Sequence, residues 1–284
     1  MENIIKLNDG TMMPILGQGA WNIGENPARR FEEIRALRKG VLMGMTLIDT
    51  AEMYGEGLSE ELVGEAIKTF EREDLFLVSK VYPHNAGRKN IFDSCKKSLE
   101  RLGTPYLNLY LLHWRGSVPL AETVDCMEEL KEQGLIKNWG VSNFDTDDME
   151  ELLSIPNGKN CRVNQVLYHL GSRGVEYDLL PLLKAKGIAT MAYCPLAHSE
   201  KARKEIAAST VVTRIAKRLD VSPEQVMLAF LLAQDQVCAI PKAATLSHVI
   251  DNANALNVVL GEEDLHLLET QFPAPTSKMP LDVL

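Results

Sequence analysis

Several features are scarce or missing in this chain, and each absence narrows its function. There are only five cysteines in 284 residues, at positions 95, 126, 161, 194 and 238. Their odd number, and the lack of Cys-X-X-Cys or Cys/His ligand spacing, tell against a disulfide framework and a zinc site. They read as small apolar side chains in a reducing compartment. No apolar run reaches membrane-spanning length, and the start of the chain, Met1-Glu2-Asn3-Ile4-Ile5-Lys6, is too short in apolar residues for a signal peptide. The expectation is a cytoplasmic protein with no metal and no membrane partner. Positive charge is also in short supply. Lys and Arg number 30 against 39 Asp and Glu, a net charge of −9, which excludes a basic nucleic-acid face but leaves room for a local phosphate pocket. A dinucleotide Gly-X-Gly-X-X-Gly loop is missing too: Gly17 and Gly19 open no helix, and position 22 is Asn. No Ser/Gly-rich linker divides the chain.

What is present is alternation. Strand-like segments at 15–19, 46–49, 75–80, 107–112, 136–141, 162–167, 188–193 and 237–240 are separated by segments with helical spacing at 28–43, 59–70, 88–102, 119–133, 145–153 and 176–186, the last interrupted by Pro181. Ser222-Pro223-Glu224-Gln225 carries the N-cap signature of another helix. Further helices are expected near 245–256 and 262–271. Eight βα units in about 270 residues match a small α/β barrel, and near-continuous apolar strands suit a buried parallel sheet. The predicted fold is a single (β/α)8 TIM barrel domain over residues 1–284. An N-terminal β-hairpin (1–16) turning at Asn8-Asp9-Gly10 caps one end, and an irregular tail follows (272–284). An open doubly wound sheet is the alternative, and it would carry a Gly-rich loop after its first strand.

In a barrel the polar residues that end successive strands face one mouth. Here these are Asp49 with Tyr54, Lys80, His113, Ser142 with Asn143, Gln165, Tyr193 and Lys242. Each alone has a plain structural reading: Asp, Ser and Asn cap helices, a loop Lys or His is solvated, and Tyr packs. Seven polar strand ends converging on one mouth weaken that reading jointly. The chemistry fits as well. A phenol with an ordinary pKa of about 10 is protonated at neutral pH. Tyr54 would thus be an acid whose pKa a neighbouring Lys80 ammonium lowers. Asp49 would orient Lys80, and His113 would donate a hydrogen bond to a carbonyl. Tyr54 would then protonate the oxygen of a carbonyl receiving hydride, the hydride itself coming from a cofactor.

These residues resemble the aldo-keto reductase family, from the hairpin to Asn252. Ile48-Asp49-Thr50-Ala51-Glu52-Met53-Tyr54-Gly55 is similar to its first signature, and Lys80 and Leu111-Leu112-His113-Trp114 supply the rest of an Asp-Tyr-Lys-His tetrad. The resemblance implies reduction of aldehydes or ketones with NADPH, NADH being the alternative cofactor. It implies a nicotinamide site at Ser142, Asn143 and Gln165 with Tyr193 stacked on the ring. It also implies cofactor contacts from Gly19, Ala20, Asp49, Cys194 and Leu196, and an adenosine 2′-phosphate segment at Lys242, Ala243, Ala244, Thr245, His248 and Asn252. Two positions depart from the family: Ala243 stands where Ser is common, and His248 where Arg is common. Lys242 and His248 are then expected to hold the phosphate. Ile240-Pro241-Lys242-Ala243-Ala244-Thr245 with Gly140-Val141-Ser142-Asn143 looks most like bacterial members that reduce methylglyoxal and other small 2-oxoaldehydes. The substrate pocket would be lined by Trp21, Tyr54, Tyr82, His113 and Trp114. Tyr82 replaces a frequent Trp, and the short tail leaves the mouth fairly open. A monomer is expected. Two rivals stand beside this reading: a Schiff-base lyase or aldolase using Lys80 as nucleophile, and a non-catalytic NADPH-binding sensor.

Overall fold

The computed structural model describes residues 3–284. Strands β1 (Ile4–Lys6) and β2 (Met12–Pro14) pair antiparallel with Ile5 opposite Met13. The turn between them forms where Gly10 takes a φ of +88° and the Asp9 carboxylate accepts the Thr11 N–H at 3.0 Å. Eight more strands follow in sequential parallel order: β3 (Gly17–Gly19), β4 (Leu47–Asp49), β5 (Phe76–Val81), β6 (Leu107–Leu112), β7 (Ile136–Ser142), β8 (Val163–Leu167), β9 (Ala189–Tyr193) and β10 (Val237–Ala239). Parallel bridges from Leu16 to Ala239 and from Gly19 to Lys242 join the first of these to the last. The fold is a (β/α)8 barrel.

Its helices are α1 (Arg30–Leu42), α2 (Leu58–Ile67), α3 (Ile91–Leu102), α4 (Leu120–Glu132), α5 (Thr146–Ser154), α6 (Leu179–Lys186), α7 (Glu200–Ala207), α8 (Thr210–Leu219), α9 (Pro223–Leu232), α10 (Leu246–Asn254) and α11 (Glu262–Gln271). Two results differ from expectation. Pro181 does not interrupt α6. It falls in the first turn, where a backbone N–H has no intrahelical partner to lose. And α7 and α8 occupy a stretch with no predicted element. Ser199 and Ser209 cap them, but α7 is mostly charged and buries Ile206 alone, so its apolar periodicity is nearly silent.

Side chains alternate across each strand, which sorts the core into two layers. Ile48, Leu77, Tyr110 and Val166 point outward to the helices. Leu47, Val78, Leu109, Val163, Met191 and Cys238 point into the barrel, where they pack with Ile5, Leu7 and Met13 of the hairpin. The hairpin is fastened to the end of the barrel where the strands begin. Asn138 Nδ2 donates to Thr11 Oγ1 at 3.1 Å, and Asn8 Nδ2 donates to the Lys186 carbonyl at 3.0 Å. The opposite end is the open mouth.

Residues 272–284 form no helix or strand, and they do not leave the whole mouth open. Arg173 donates to the Phe272 carbonyl, Lys278 lies 3.4–3.5 Å from Asp145, Asp147 and Asp178, and Ser172 binds Asp282. The tail therefore lies across part of the β7–β9 side. Acidic side chains at the starts of α5 and α6 attract Lys278, which composition alone does not reveal.

Candidate active site

Register builds the centre of the mouth. Asp49 is the last residue of β4 and pairs with Val78 of β5. Lys80 lies two residues beyond Val78 and so shares its inward face. It is completely buried. Its ammonium donates to Asp49 Oδ2 at 2.7 Å, the Thr50 carbonyl at 2.9 Å and Tyr54 Oη at 2.9 Å, which uses all three protons. The second Asp49 oxygen accepts from Gln165 Nε2 at 2.7 Å, tying β4 to β8 across the barrel. Tyr54 is brought back over Lys80 by a tight turn, Tyr54–Gly57, in which Gly55 and Gly57 have φ of +58° and +96°. Glycine carries that backbone at little cost.

Because the phenol oxygen accepts from Lys80, its own proton is left for another acceptor. Burial raises the Tyr54 pKa, and the opposing pull of the Lys80 ammonium is the smaller effect. The expected lowering is therefore reversed, because the depth of the site outweighs the nearby charge. Tyr54 remains a phenol throughout the working pH range. Lys80 shows the opposite balance: burial opposes its charge, but Asp49 and Tyr54 together raise its pKa. His113 follows β6, with its ring 5.7 Å from that of Tyr54 in an edge-on arrangement. Burial first, and then the Lys80 charge, push its pKa down to about 2, so the imidazole is neutral. Its buried Nδ1 has no hydrogen-bond partner. Trp114 stacks obliquely on His113 at 4.8 Å and meets Tyr82 edge-on at 6.0 Å. Trp21 stands on the β3 loop, exposed, and joins none of these ring pairs.

The neighbouring strand ends interlock. Ser142 Oγ donates to the Gln165 carbonyl at 2.9 Å, Asn143 Nδ2 to the His113 carbonyl at 3.2 Å, and Tyr193 Oη to Asn143 Oδ1 at 2.8 Å. Asn143, Cys194 and Ala197 all take positive φ, at 59°, 49° and 75°. Such backbone costs of order 1–3 kcal/mol per residue and collects at functional sites. Cys194 is half-buried, and burial pushes its thiol up to about 11. Leu196 packs against the core nearby. At the far side of the mouth, Gly19 approaches so closely that a Cβ there would lie 2.9 Å from the Ile240 carbonyl oxygen. Ala20 is buried, and its N–H donates to the Asp49 carbonyl at 2.9 Å. Lys242 and His248 are exposed, Ala243, Ala244 and Asn252 are buried, and Thr245 is the N-cap of α10.

The profile of the Aldo/keto reductase family matches residues 15–270. The chain is 49% identical to methylglyoxal reductase YeaE of Escherichia coli over 283 residues, covering 100% of this chain and 99% of that one.

This chain belongs to the aldo/keto reductase family.

A glyoxal reductase of Bacillus subtilis is 35% identical over 95% of this chain and 92% of its own length. An aldo/keto reductase from Klebsiella pneumoniae, crystallised with NADP and acetate, superposes with a TM-score of 0.97 at 45% identity over 100% of both chains. A second Klebsiella structure, in complex with NADPH, gives 0.96 at the same identity and coverage. Within this aldo/keto reductase, sequence reasoning missed two parts of the site. The Thr50 carbonyl is the third acceptor of Lys80. Glu52 Oε1 accepts the Tyr82 N–H at 2.7 Å and Asn85 Nδ2 at 3.1 Å, joining the Tyr54 loop to the aromatic wall. A contact between loops thirty residues apart leaves no mark in periodicity.

Proposed function

We propose that this aldo/keto reductase uses NADPH, and NADH less well, to reduce small 2-oxoaldehydes such as methylglyoxal to hydroxy-carbonyl products. The observation that carries the reading is the Tyr54 phenol, held by Lys80 through its oxygen and keeping its own proton to give. The names of the two enzyme relatives support the substrate class. The residues present suit a dinucleotide and its carbonyl substrate in two respects: Lys242 stands exposed at the rim in no ion pair among the described residues, a cation left for a phosphate, and the buried His113 Nδ1, without a partner, leaves the ring free to meet the substrate carbonyl.

In this reading, bound NADPH supplies the hydride. Ser142, Asn143 and Gln165 would hold its carboxamide end, and Tyr193 would bind the nicotinamide. Gly19, Ala20, Asp49, Cys194 and Leu196 line the middle. Lys242, Ala243, Ala244, Thr245, His248 and Asn252 form the adenosine end, where Lys242 and His248 supply side-chain charge and Thr245 opens a helix N-terminus. Neutral His113 donates a hydrogen bond that orients the substrate carbonyl, with Trp21, Tyr82 and Trp114 as walls. Tyr54 delivers its proton to the carbonyl oxygen, and the Lys80 ammonium stabilises the phenolate left behind. Asp49 keeps Lys80 charged and in place. The whole chain acts as one unit and as a monomer. Its five free cysteines suit a reducing cytoplasm.

The aldolase reading is disfavoured by Lys80 itself: an ammonium with three acceptors and a raised pKa has no lone pair for a Schiff base. Borohydride should trap no Lys80 adduct. The test of the proposal is NADPH oxidation at 340 nm with methylglyoxal, for wild type and Tyr54→Phe. Wild type should turn over, and the variant should lose at least about 10²-fold in kcat with NADPH affinity little changed. A variant with near wild-type kcat would remove Tyr54 from the chemistry.

A further inference from the structure

The adenosine side of the mouth contains a charge arrangement that the protein alone does not resolve. Lys242 belongs to no ion pair among the described residues. Partial burial lowers its pKa, and the nearest added cause is a second cation, Arg29; Glu33 and Glu25 oppose this. Arg29 ends the short turn Pro27–Arg29, whose N-cap Asn26 accepts the Ala28 N–H at 3.0 Å. That turn is kept beside Lys242 by backbone. The Gly19 N–H donates to the Pro241 carbonyl at 3.1 Å, Gly19 bridges to Lys242, and α1 packs against α10. The connection from β3 to α1, which carries Arg29, thus starts against Lys242, and the helix it leads into packs on the helix that follows Lys242.

Arg29 is nearly as uncommitted as Lys242. Its sole carboxylate neighbour within ion-pair range among the described residues is Glu33, at 4.0 Å. The other Glu33 oxygen accepts the Gly24 N–H at 3.0 Å, so that carboxylate is divided. Two neighbouring cations that share only the divided Glu33 carboxylate and the more distant Glu25 charge are incompletely compensated, and a dianion between them adds the missing attraction. We propose that Arg29 is the second side-chain cation of the adenosine 2′-phosphate subsite, completing with Lys242 what His248 provides only weakly. The guanidinium presents a planar two-point fork to phosphate oxygens, which an imidazole does not. The selecting cation thus comes from the loop after the first barrel strand, not from α10. The assignment rests on the NADPH reading above.

The test is equilibrium binding, followed by quenching of protein fluorescence, for NADPH, NADH, 2′,5′-ADP and 5′-AMP. In Arg29→Gln, NADPH and 2′,5′-ADP should bind about five- to tenfold more weakly, the share of one partly screened charge, with NADH and 5′-AMP almost unaffected. Glu25→Gln removes a carboxylate in range of Lys242 and should act in the opposite direction, tightening NADPH by about twofold without changing NADH. Thermal unfolding of both variants at the wild-type midpoint confirms that the fold is intact. The proposal is overturned if Arg29→Gln leaves the NADPH/NADH ratio unchanged. It is equally overturned if that variant weakens both cofactors alike, since a structural role would do that. A wild-type chain that binds neither cofactor removes the cofactor reading itself, whereas wild-type selectivity that survives Arg29→Gln removes only the role of Arg29.

Discussion

Two parts of one barrel mouth are built on opposite principles. At the Asp49–Lys80–Tyr54 corner every charge has a protein partner at 2.7–2.9 Å, and Lys80 has no exposure to solvent. At the Lys242 rim, Lys242 is exposed and in no ion pair among the described residues, and Arg29 has only Glu33, at 4.0 Å. The corner is complete before any ligand arrives, as general acid catalysis requires, because reorganisation during the reaction would raise the barrier. The rim is incomplete until an anion reaches it. A chain can thus hold its chemistry rigid and leave its selectivity to charges that cost little folding energy.

The largest effect should come from breaking the corner. Lys80→Met leaves Asp49 buried without its cation, a loss of about 3–5 kcal/mol in unfolding free energy. It should also lower kcat at least about 10²-fold, because the phenolate loses its stabilising charge. Urea unfolding and steady-state kinetics on one preparation measure both. Lys80→Arg should not restore full activity, since a guanidinium is wider than an ammonium. Wild-type kcat in Lys80→Met would show that the corner is only a structural ion pair.

Next in size is acid sensitivity. His113 is held down to about 2 and His169 to about 4, both chiefly by burial, with the charge of Lys80 acting on the first and His198 on the second. Unfolding returns each to about 6.5. Below that pH the unfolded chain binds protons that the native chain does not, so stability present at pH 7.5 is lost as pH falls through 6.5 toward the folded values. Each His contributes at most about 1.4 kcal/mol per pH unit. Urea midpoints at pH 7.5, 6 and 5 should decline, and His169→Gln should flatten the curve. An equal slope in wild type and variant would mean that His169 charges in the folded state.

The rim should respond in affinity and hardly at all in stability. Lys242→Met should weaken NADPH about tenfold and leave NADH unchanged. Its unfolding free energy should stay within about 0.5 kcal/mol, as expected for an exposed side chain. The smallest effect belongs to His248. His248→Gln should change the NADPH/NADH ratio by no more than about twofold, and His248→Arg should tighten NADPH about threefold at pH 8 by adding a fork at an exposed position. A tenfold loss in His248→Gln would shift the selecting charge back to α10.

The corner was legible because a two-residue period and strand-end position place Asp49, Lys80, His113, Ser142 and Gln165 on one inward face before any coordinates exist. The barrel was legible for the same reason: eight apolar runs alternate with amphipathic ones. The direction of the Tyr54 shift was not, because it depends on how deeply a loop residue is buried, which no local pattern records. Glu52 was hidden likewise, its partners being a backbone N–H and an amide on another loop. The helix α7 escaped notice because it has almost no apolar face. Arg29 carries no signal of its own; its meaning comes from the closure of β3 against the segment after β10.

That closure, with the hairpin beneath it, governs traffic. Ile5, Leu7 and Met13 stopper the barrel from the side where its strands begin, packing directly on Leu47, Phe76, Leu109 and Val163. Behind Lys80 the barrel holds only packed side chains, so its buried ammonium can be approached from the open end alone.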